Sequence, residues 1–341
     1  MAKVDMAAVD PVLFGRFKIA REDKVVTAGS CFAQHIARNL SKAGFNFHVT
    51  ETAHPLARPS IAADYGYGMF SARYGNIYTS RQLLQLFRRA CGEFLPEEDF
   101  WTNENGRYID PFRPSIQPGG YLTLEEFRAD RQQHFAAVMK AFHEMDVFVF
   151  TLGLTECWAS RTDGAVYPLC PGVVAGDYDP DRYRYLNLSV DEVVADFLEF
   201  FDRISAFNQK FKCILTVSPV PLIATAEKKH VLVSTTYSKA VLRVAAEIIE
   251  RERPDSVAYF PSYEIITGNH ARGNYYGSDL RSVTEDGVNH VMRLFFRHYA
   301  SVDSSTSVNH EAPPVSDHDR EMRELVQVQC DEEALDRDTA P

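Results

Sequence analysis

The sequence predicts an α/β fold, a three-layer sandwich in which helices cover both faces of a central parallel sheet. Short apolar runs alternate with segments of helical periodicity, and the connections between the runs are long enough for crossovers. The clearest run, Val147 to Leu152, is apolar on both faces, as expected for a strand buried inside a parallel sheet. With 45% hydrophobic residues among 341, the chain can form a sizeable core around such a sheet.

The first predicted unit is a strand, a tight turn and a helix. Val25 to Ala28 is a short apolar run that ends at Gly29. A helical pattern follows, carried by Ile36, Leu40 and Ala43. This unit places a glycine turn directly between a buried strand and the start of a helix.

The next stretch contains less regular structure. Residues 46–50 resemble a short second strand, and residues 51–79, rich in Pro, Gly and Tyr, are typical of a loop. Ser80 is a plausible cap for a helix. Residues 92–121 are again irregular and aromatic. We therefore expect mostly irregular structure in residues 51–121, interrupted by this helix.

Two capping boxes mark the starts of further helices. Thr123 with Glu126 opens a long helix that runs to about Met145, and Ser189 with Glu192 opens another that runs to about residue 207. Both helices flank the buried run that begins at residue 147.

The last third of the folded part continues the alternation. Residues 213–217 form a buried strand closed by Ser218–Pro221, and residues 238–252 form a helix that ends before a proline. A strand over residues 257–260 and a last helix over residues 285–299 complete the predicted domain.

We place the folded domain at residues 1–302 and predict that residues 303–341 form an acidic, disordered tail. From residue 301 onward there are 11 acidic and 3 basic side chains, a net charge of −8 out of −11 for the whole chain, which leaves about −3 for the rest. The folded part is therefore nearly neutral. A nucleic-acid partner is not expected, because such proteins normally carry a basic face.

Several classes of protein are disfavoured by what the sequence lacks. The beginning of the chain shows no signal-peptide pattern, and no apolar run approaches the length of a membrane span, so we expect a cytoplasmic protein without membrane contact. No glycine-rich dinucleotide motif follows the first strand, and we expect no cofactor and no metal. No cysteine pair has close C-x-x-C spacing, which favours reduced thiols. The cysteines are Cys31, Cys91, Cys157, Cys170, Cys213 and Cys330.

Unusual polar turns follow three predicted strands, and a fourth precedes the last helix. In open α/β sheets ligands bind outside the carboxyl ends of the strands, so these turns are the candidate site. They are Gly29–Cys31, Gly153–Glu156, Ser218–Pro219 and Asp279–Ser282.

The string Gly29-Ser30-Cys31-Phe32-Ala33 resembles the signature of the GSCFA family, a bacterial branch of the SGNH-hydrolase superfamily. Four further strings support the resemblance, which covers about residues 15–300 in the family's order. The resemblance implies a flavodoxin-like sandwich and acyl chemistry. The strings are Tyr74–Tyr78, Thr151–Glu156, Thr216–Pro221 and Asp279–Arg281.

In the superfamily the first block is a Gly-Asp-Ser turn whose serine attacks an acyl carbon. The resemblance therefore implies Cys31 as the nucleophile, with Ser30 at the position of the aspartate. A helix N-terminus favours a thiolate and offers N–H groups to a developing oxyanion. Two alternatives stay open: Ser30 is the attacking group, or Cys31 only fills space in the turn.

The second and third blocks of the superfamily supply donors to the oxyanion. Gly75, with Asn76 beside it, resembles the glycine of the second block, although a simple turn glycine is an equal alternative. Gly153 matches the glycine of the third block, and Thr155 stands where the superfamily has an asparagine. Glu156 is expected to bond to the Gly29 turn, to bind substrate, or only to pair locally.

The fourth block departs from the superfamily. The pattern there is Asp-x-x-His, in which the histidine is the general base, whereas Asp279 is followed three residues later by Ser282. Serine cannot accept a proton near neutral pH as an imidazole does. His270, close upstream of Asp279, is the first substitute to consider. The other candidates are His35, His230 and His290.

Two functions remain open on these residues. One is an esterase or acyltransferase acting on a small-molecule or glycan acyl ester, the carbohydrate being implied by the resemblance. The other is a catalytically impaired SGNH-type module that binds a glycan or acyl group, which Ser282 favours; a scaffold acting through the acidic tail is a third possibility. The oligomeric state is not predicted. Aromatic residues that offer stacking surfaces for a sugar, or else pack, are Trp158, Tyr237, Tyr263, Tyr275 and Tyr276.

Overall fold

The computed structural model describes residues 5–301 of the 341-residue chain. Helices separate the strands of the central sheet along the chain. In chain order the elements are β1 Val25–Gly29, α1 Cys31–Lys42, α2 Pro59–Asp64, α3 Ser80–Ala90, β2 Trp101–Thr102, β3 Tyr108–Ile109, α4 Leu124–Glu144, β4 Val147–Leu152, β5 Glu156–Ser160, β6 Val166–Tyr167, β7 Tyr183–Asn187, α5 Val190–Ser205, β8 Lys212–Val217, α6 Val231–Glu252, β9 Val257–Tyr259, α7 Ser262–Thr267 and α8 Glu285–Tyr299.

A four-stranded parallel sheet forms the centre of the molecule, in the order β1-β4-β8-β9. β1 and β4 are buried along their whole length, as the two-sided apolar pattern predicts. Gly29 pairs with Thr151, and Leu152 pairs with Val217, so the carboxyl ends of three strands finish at one edge. The predicted α/β class with a central parallel sheet is therefore confirmed.

Helices cover both faces of this sheet because side chains alternate along each strand. On one face, Val147 and Val149 pack in a hydrophobic cluster with residues of α1, α7 and α8. On the other, Phe148 and Phe150 pack in a larger cluster with residues of α3, α4, α5 and α6. The two clusters make a three-layer arrangement with the sheet in the middle.

β1 is an edge strand whose outer side is occupied by loops. The prediction of a strand at residues 46–50 is wrong: only an isolated bridge between Phe47 and Val25 forms there. His48 N–H donates to the Val25 carbonyl at 2.9 Å, and Thr27 N–H donates to Ser71 Oγ at 3.1 Å. At the other end Ile77 N–H donates to the carbonyl that ends β1. Loop hydrogen bonds thus replace the expected neighbouring strand.

Two helix starts also differ from the sequence prediction. Thr79, not Ser80, is the N-cap of α3, because its side chain accepts the Gln82 N–H in a full capping box. α6 begins at Val231, well before the predicted residue 238, with His230 as its N-cap. Histidine is outside the usual set of capping residues, so this start carried no signal.

The sequence did not predict the two small antiparallel sheets. β2 pairs with β3, and β5 lies between β6 and β7. β5 follows β4 after a short turn that begins at Gly153. The three-stranded sheet therefore begins next to the edge at which the central strands end. The predicted disordered tail at 303–341 lies outside the described residues. Within residues 5–301, no helix combines the length and apolar character needed to cross a bilayer.

Candidate active site

The turn after β1 can be formed only with glycine at position 29. Gly29 has φ +136°, a conformation that L side chains rarely adopt. A Cβ there would lie 2.4 Å from the Thr151 carbonyl oxygen. Ser30 N–H donates to that same carbonyl at 3.2 Å. The turn is therefore held tightly against the end of β4.

The Ser30 side chain points towards the sheet rather than towards the N-terminus of α1. A Cβ added to Gly153 would meet Ser30 Cβ at 2.9 Å, so the serine side chain lies over this glycine. Ser30 is the N-cap of α1 but makes no side-chain capping bond, and its hydroxyl is buried with no hydrogen-bond partner among residues 5–301. An unpartnered buried hydroxyl is uncommon and calls for an explanation.

Cys31 is the first residue of α1, where backbone N–H groups have no partner inside the helix. The residue is 4% exposed and belongs to none of the hydrophobic clusters formed by residues 5–301. Phe32 and Ile36 turn towards the core, whereas Cys31 shares the opposite, polar face of the helix with His35. The thiol is thus buried beside the positive end of a helix, outside the hydrophobic clusters formed by residues 5–301.

The loop before α3 lies against this turn. Besides the Ile77 bond to the Gly29 carbonyl, Gly153 N–H and Leu154 N–H both donate to the Tyr78 carbonyl at 3.0 Å. Asn76 Oδ1 accepts a hydrogen bond from Gln34 Nε2 of α1 at 3.1 Å. Three blocks that are far apart in sequence therefore meet at one edge of the sheet.

A buried ionic network supports this loop from behind. Arg73 N–H donates to Glu51 at 2.7 Å, and the Arg113 guanidinium donates to the Arg73 carbonyl at 3.3 Å. Arg73 and Arg113 also form ion pairs with Asp130. Gly75 has φ +68°, and a Cβ there would lie 3.7 Å from Arg113 Cβ. The network fixes the backbone on which Gly75 is presented.

His134 makes this network sensitive to pH. Its Nδ1 lies 2.7 Å from Glu51, and burial, followed by the charge of Arg113, lowers its pKa to about 4. In the unfolded chain the His134 imidazole takes up a proton near pH ~6.5, whereas in the folded protein it stays neutral at that pH. We expect the free energy of unfolding to fall as the pH drops from about 6.5 towards 4.5, with His134 contributing roughly 3 kcal/mol over its full titration range.

Chemical denaturation across this pH range measures the effect. The His134→Gln variant keeps an amide donor for Glu51 but cannot titrate, so its stability should depend less steeply on pH. His35 retains its own contribution in both proteins, because burial and Arg38 lower its pKa to about 4 as well. An unchanged slope in the variant would mean that folded His134 is already protonated.

Thr155 and Glu156 begin the small sheet next to the turn. Thr155 is fully buried, its hydroxyl donates to Asn187 Oδ1 at 2.6 Å, and its N–H donates to Ser238 Oγ at 3.1 Å. Glu156 is half-buried and accepts a hydrogen bond from the Thr225 hydroxyl at 2.8 Å. In this geometry Thr155 orients its neighbours, and Glu156 is bonded to the segment between β8 and α6.

Lys239 lies unexpectedly deep in the site. The residue is 1% exposed, and its ammonium donates to the Gly153 carbonyl at 2.7 Å. Lysine in an amphipathic helix is normally exposed, so no sequence signal predicts this burial. Lys239 and Ser238, both from α6, thus hold the turn that leaves β4.

The Asp279–Ser282 turn lies at the end of β8. Ser282 Oγ donates to the Asp279 carboxylate, which also accepts the Arg281 and Ser282 N–H groups. These bonds, the Ser282 hydroxyl first, lower the pKa of Asp279. Leu280 between them has φ +56°, a strained conformation for a branched side chain. Arg281 donates to the Pro221 carbonyl at 3.2 Å, which attaches the turn to the loop after β8.

The structure separates the candidate histidines. His270 packs against His290 with ring centroids 6.3 Å apart, and His290 is buried, its Nδ1 2.7 Å from the Tyr275 hydroxyl. His230 caps α6. Only His35 shares a helix with Cys31, one turn further along, and its low pKa makes it a weak base. Among residues 5–301 no imidazole hydrogen-bonds to the Cys31 thiol.

No metal centre accompanies these residues in the part of the chain that the structure describes, where no group of three or more His, Cys, Asp or Glu side chains is arranged to hold an ion. The site consists instead of backbone donors, amides and a thiol. Its sequence-distant parts come from the ends of β1 and β4 and from the loop before α3.

Fold and site together define an α/β protein with a glycine turn and a cysteine at the start of the first helix. The GSCFA family model matches residues 24–295, well over half of the chain, and the chain belongs to the GSCFA family. A search of curated proteins found no match.

Proposed function

We propose that this protein is an acyl-group enzyme, an ester hydrolase or acyltransferase, with Cys31 as its nucleophile. One observation carries the proposal: a cysteine opens α1 at the carboxyl edge of the sheet, next to two loops that converge on it. The superfamily resemblance supplies the reaction class. The convergence of Gly29, Asn76 and Gly153 on this point supports it.

The proposed reaction has two steps. The Cys31 thiolate attacks the carbonyl carbon of an ester, a C–S bond forms, and the carbonyl oxygen becomes an oxyanion. The C–O bond then breaks, and the alkoxide leaves and takes a proton from water, giving a thioester on Cys31. Water, or the hydroxyl of a second substrate, attacks this thioester and releases the thiol.

Backbone N–H groups of the first turn of α1 and of Gly75 are the proposed oxyanion donors, with the Asn76 amide beside them. Thr155 is less suited to the role than the resemblance implies, since its hydroxyl proton already goes to Asn187. Ser30 is less suited than Cys31 as nucleophile, since its side chain packs over Gly153. Asp279, which accepts the Ser282 hydroxyl, would orient a base at position 282.

Intact-protein mass spectrometry after mixing with an activated acetyl ester tests the proposal. We expect a mass gain of one acetyl group that is lost in Cys31→Ala. Cys91 is exposed, so a Cys91→Ala background removes non-specific acylation of that thiol. A gain that persists without Cys31 would place the nucleophile elsewhere.

Ser282 favours a second candidate function, a module that binds an acyl group or glycan without turnover. Ser282→His separates the two functions. If the rest of the site is catalytic, the new imidazole, oriented by Asp279, should raise the rate of ester hydrolysis at least about tenfold, with activity rising through pH ~6.5.

Two controls belong to this experiment. Ser282→Gln adds a side chain of similar reach without a titrating group and should leave the rate unchanged. Asp279→Asn in the Ser282→His background should remove most of the gain, because the imidazole loses its orienting partner. A flat response of Ser282→His would favour the binding module.

The small sheet offers a surface suited to a carbohydrate substrate. Glu156 pairs with Asn187, and Trp158 with Tyr185, so carboxylate, amide and rings lie on one face of β5 and β7. The Trp158 ring lies 5.8 Å from Tyr185 and 5.2 Å from Tyr178, which is 47% exposed. Rings beside hydrogen-bonding groups fit a sugar ring with its hydroxyls.

We therefore expect Trp158→Ala to raise KM for an acetylated cello-oligosaccharide about fivefold, since one aromatic contact is worth about 1 kcal/mol. Hydrolysis of p-nitrophenyl acetate should be unchanged. Phe14→Ala, which removes an exposed aromatic side chain near the start of the chain, is the matched control. Equal losses on both substrates would indicate damage to the site instead. Tyr275, only 1% exposed, is unavailable for stacking.

A further inference from the structure

A cavity of about 20 Å³ lies behind the candidate site, between α3 and the loop that carries Asn76. None of the steps proposed for acyl transfer uses it. The polar side chains that line it are those of Tyr74, Asn76, Gln82, Gln85, Arg89, Asp110, Arg113 and His134.

Arg89 is the unusual member of this set. Its guanidinium carbon lies 3.5 Å from the centroid of the Phe112 ring and 5.1 Å from that of Phe135. The residue is 6% exposed, and its guanidinium makes no hydrogen bond or ion pair with any residue in the range 5–301. A buried charge is normally paired, because leaving its N–H groups without acceptors is costly.

Two of the acceptor groups that line the cavity are already hydrogen-bonded. Asp110 is already bonded to the Arg113 guanidinium at 2.9 Å and to the Phe112 N–H at 3.1 Å. Gln82 Oε1 accepts the N–H groups of Tyr78 and Thr79 at 3.0 Å, so its amide nitrogen remains for other partners. An occupant of this space therefore meets N–H groups from more than one side.

The charges around Arg89 also favour an anion in this cavity. Burial lowers its pKa to about 9; Asp110 acts against this, while Arg131 and Arg113 add to it. Arg113 and Arg131 each form ion pairs with carboxylates, whereas Arg89 forms none among residues 5–301, so a negative charge placed beside Arg89 would be favoured.

We propose that this cavity is a binding site for a monatomic anion, a halide such as chloride, held by Arg89. The volume admits one small occupant, which excludes a phosphate or a carboxylate-bearing ligand. The anion would supply the missing partner of Arg89. It would also stiffen the loop from Asn76 to Thr79, since Gln82 binds the backbone of that loop.

Thermal unfolding in different sodium salts at matched ionic strength tests the proposal. Chloride and bromide should raise Tm saturably, by about 5 °C, whereas gluconate and sulfate should not. The increment should vanish in Arg89→Gln. Arg88→Gln is the matched control, because Arg88 is the neighbouring arginine on α3 and is ion-paired with Glu199 at the surface. Equal shifts in all salts, or a shift retained in Arg89→Gln, would overturn the proposal.

A second measurement uses the unaltered protein, because replacing a buried arginine also weakens the fold. Crystals soaked in sodium bromide should give an anomalous peak within hydrogen-bonding distance of the Arg89 guanidinium. Density for water alone, without a bromine signal, would contradict the proposal. Neither measurement depends on acyl chemistry, so the outcome is independent of the proposed function.

Discussion

Replacing Cys31 with alanine should lower kcat/KM for ester hydrolysis by at least about 10³-fold, because the group that forms the covalent intermediate is removed. The fold should remain, since Cys31 lies outside the hydrophobic clusters of the described residues. Steady-state kinetics with p-nitrophenyl acetate measure the loss, and circular dichroism checks that the protein stays folded.

Cys31→Ser gives a finer test of the same assignment. A hydroxyl needs a general base far more than a thiol does, and the described residues provide no imidazole at this position. We expect Cys31→Ser to be nearly as inactive as the alanine variant, and Ser282→His to restore part of its activity. Ser30→Ala should retain most of the wild-type rate. If Ser30→Ala is the variant that loses activity, Ser30 is the nucleophile.

Gly29→Ala should destabilise the protein by about 3 kcal/mol or more. Two costs add: the φ of +136° is strained for alanine, and the new methyl group would meet the Thr151 carbonyl oxygen at 2.4 Å. The methyl group is attached directly to the backbone of β1, and the oxygen belongs to the backbone of β4, so neither can move away easily. Denaturant unfolding of the purified variant gives the loss of stability directly.

Gly92→Ala is the matched control for this substitution. Gly92 also has positive φ, +74°, but a Cβ there meets nothing within 4 Å. Only backbone strain applies, and the expected loss is about 1 kcal/mol. Similar losses at both positions would show that the contact with Thr151 relaxes in the variant.

The central sheet was predictable from sequence because its strands are buried on both faces. Such strands consist of consecutive apolar residues, as in the run from Val147 to Leu152, and the turns after them must then share one edge. The small sheet was not predictable from sequence. The β5 sequence, Glu-Cys-Trp-Ala-Ser, mixes polar and apolar residues without the alternation that would distinguish a strand from a loop. Its register depends on contacts with β7, nearly 30 residues later in the sequence.

The candidate site was predictable in position but not in detail. The strings around Gly29, Gly75 and Gly153 located it, since glycine marks close backbone approach. The burial of Lys239 and the direction of Ser30 depend on packing between α6, β4 and the turn, which local sequence does not determine. For the same reason the sequence favoured His270 as a base, although the structure packs it against His290.

The outer side of β1 limits how this protein can assemble. Its backbone groups at Val25, Thr27 and Gly29 already bond to the segment between residues 46 and 77. A strand from a second molecule would find few donors or acceptors left for pairing, so this border of the sheet cannot be extended from one subunit into another. Any dimer that joins two such sheets into one would have to form through β9 instead.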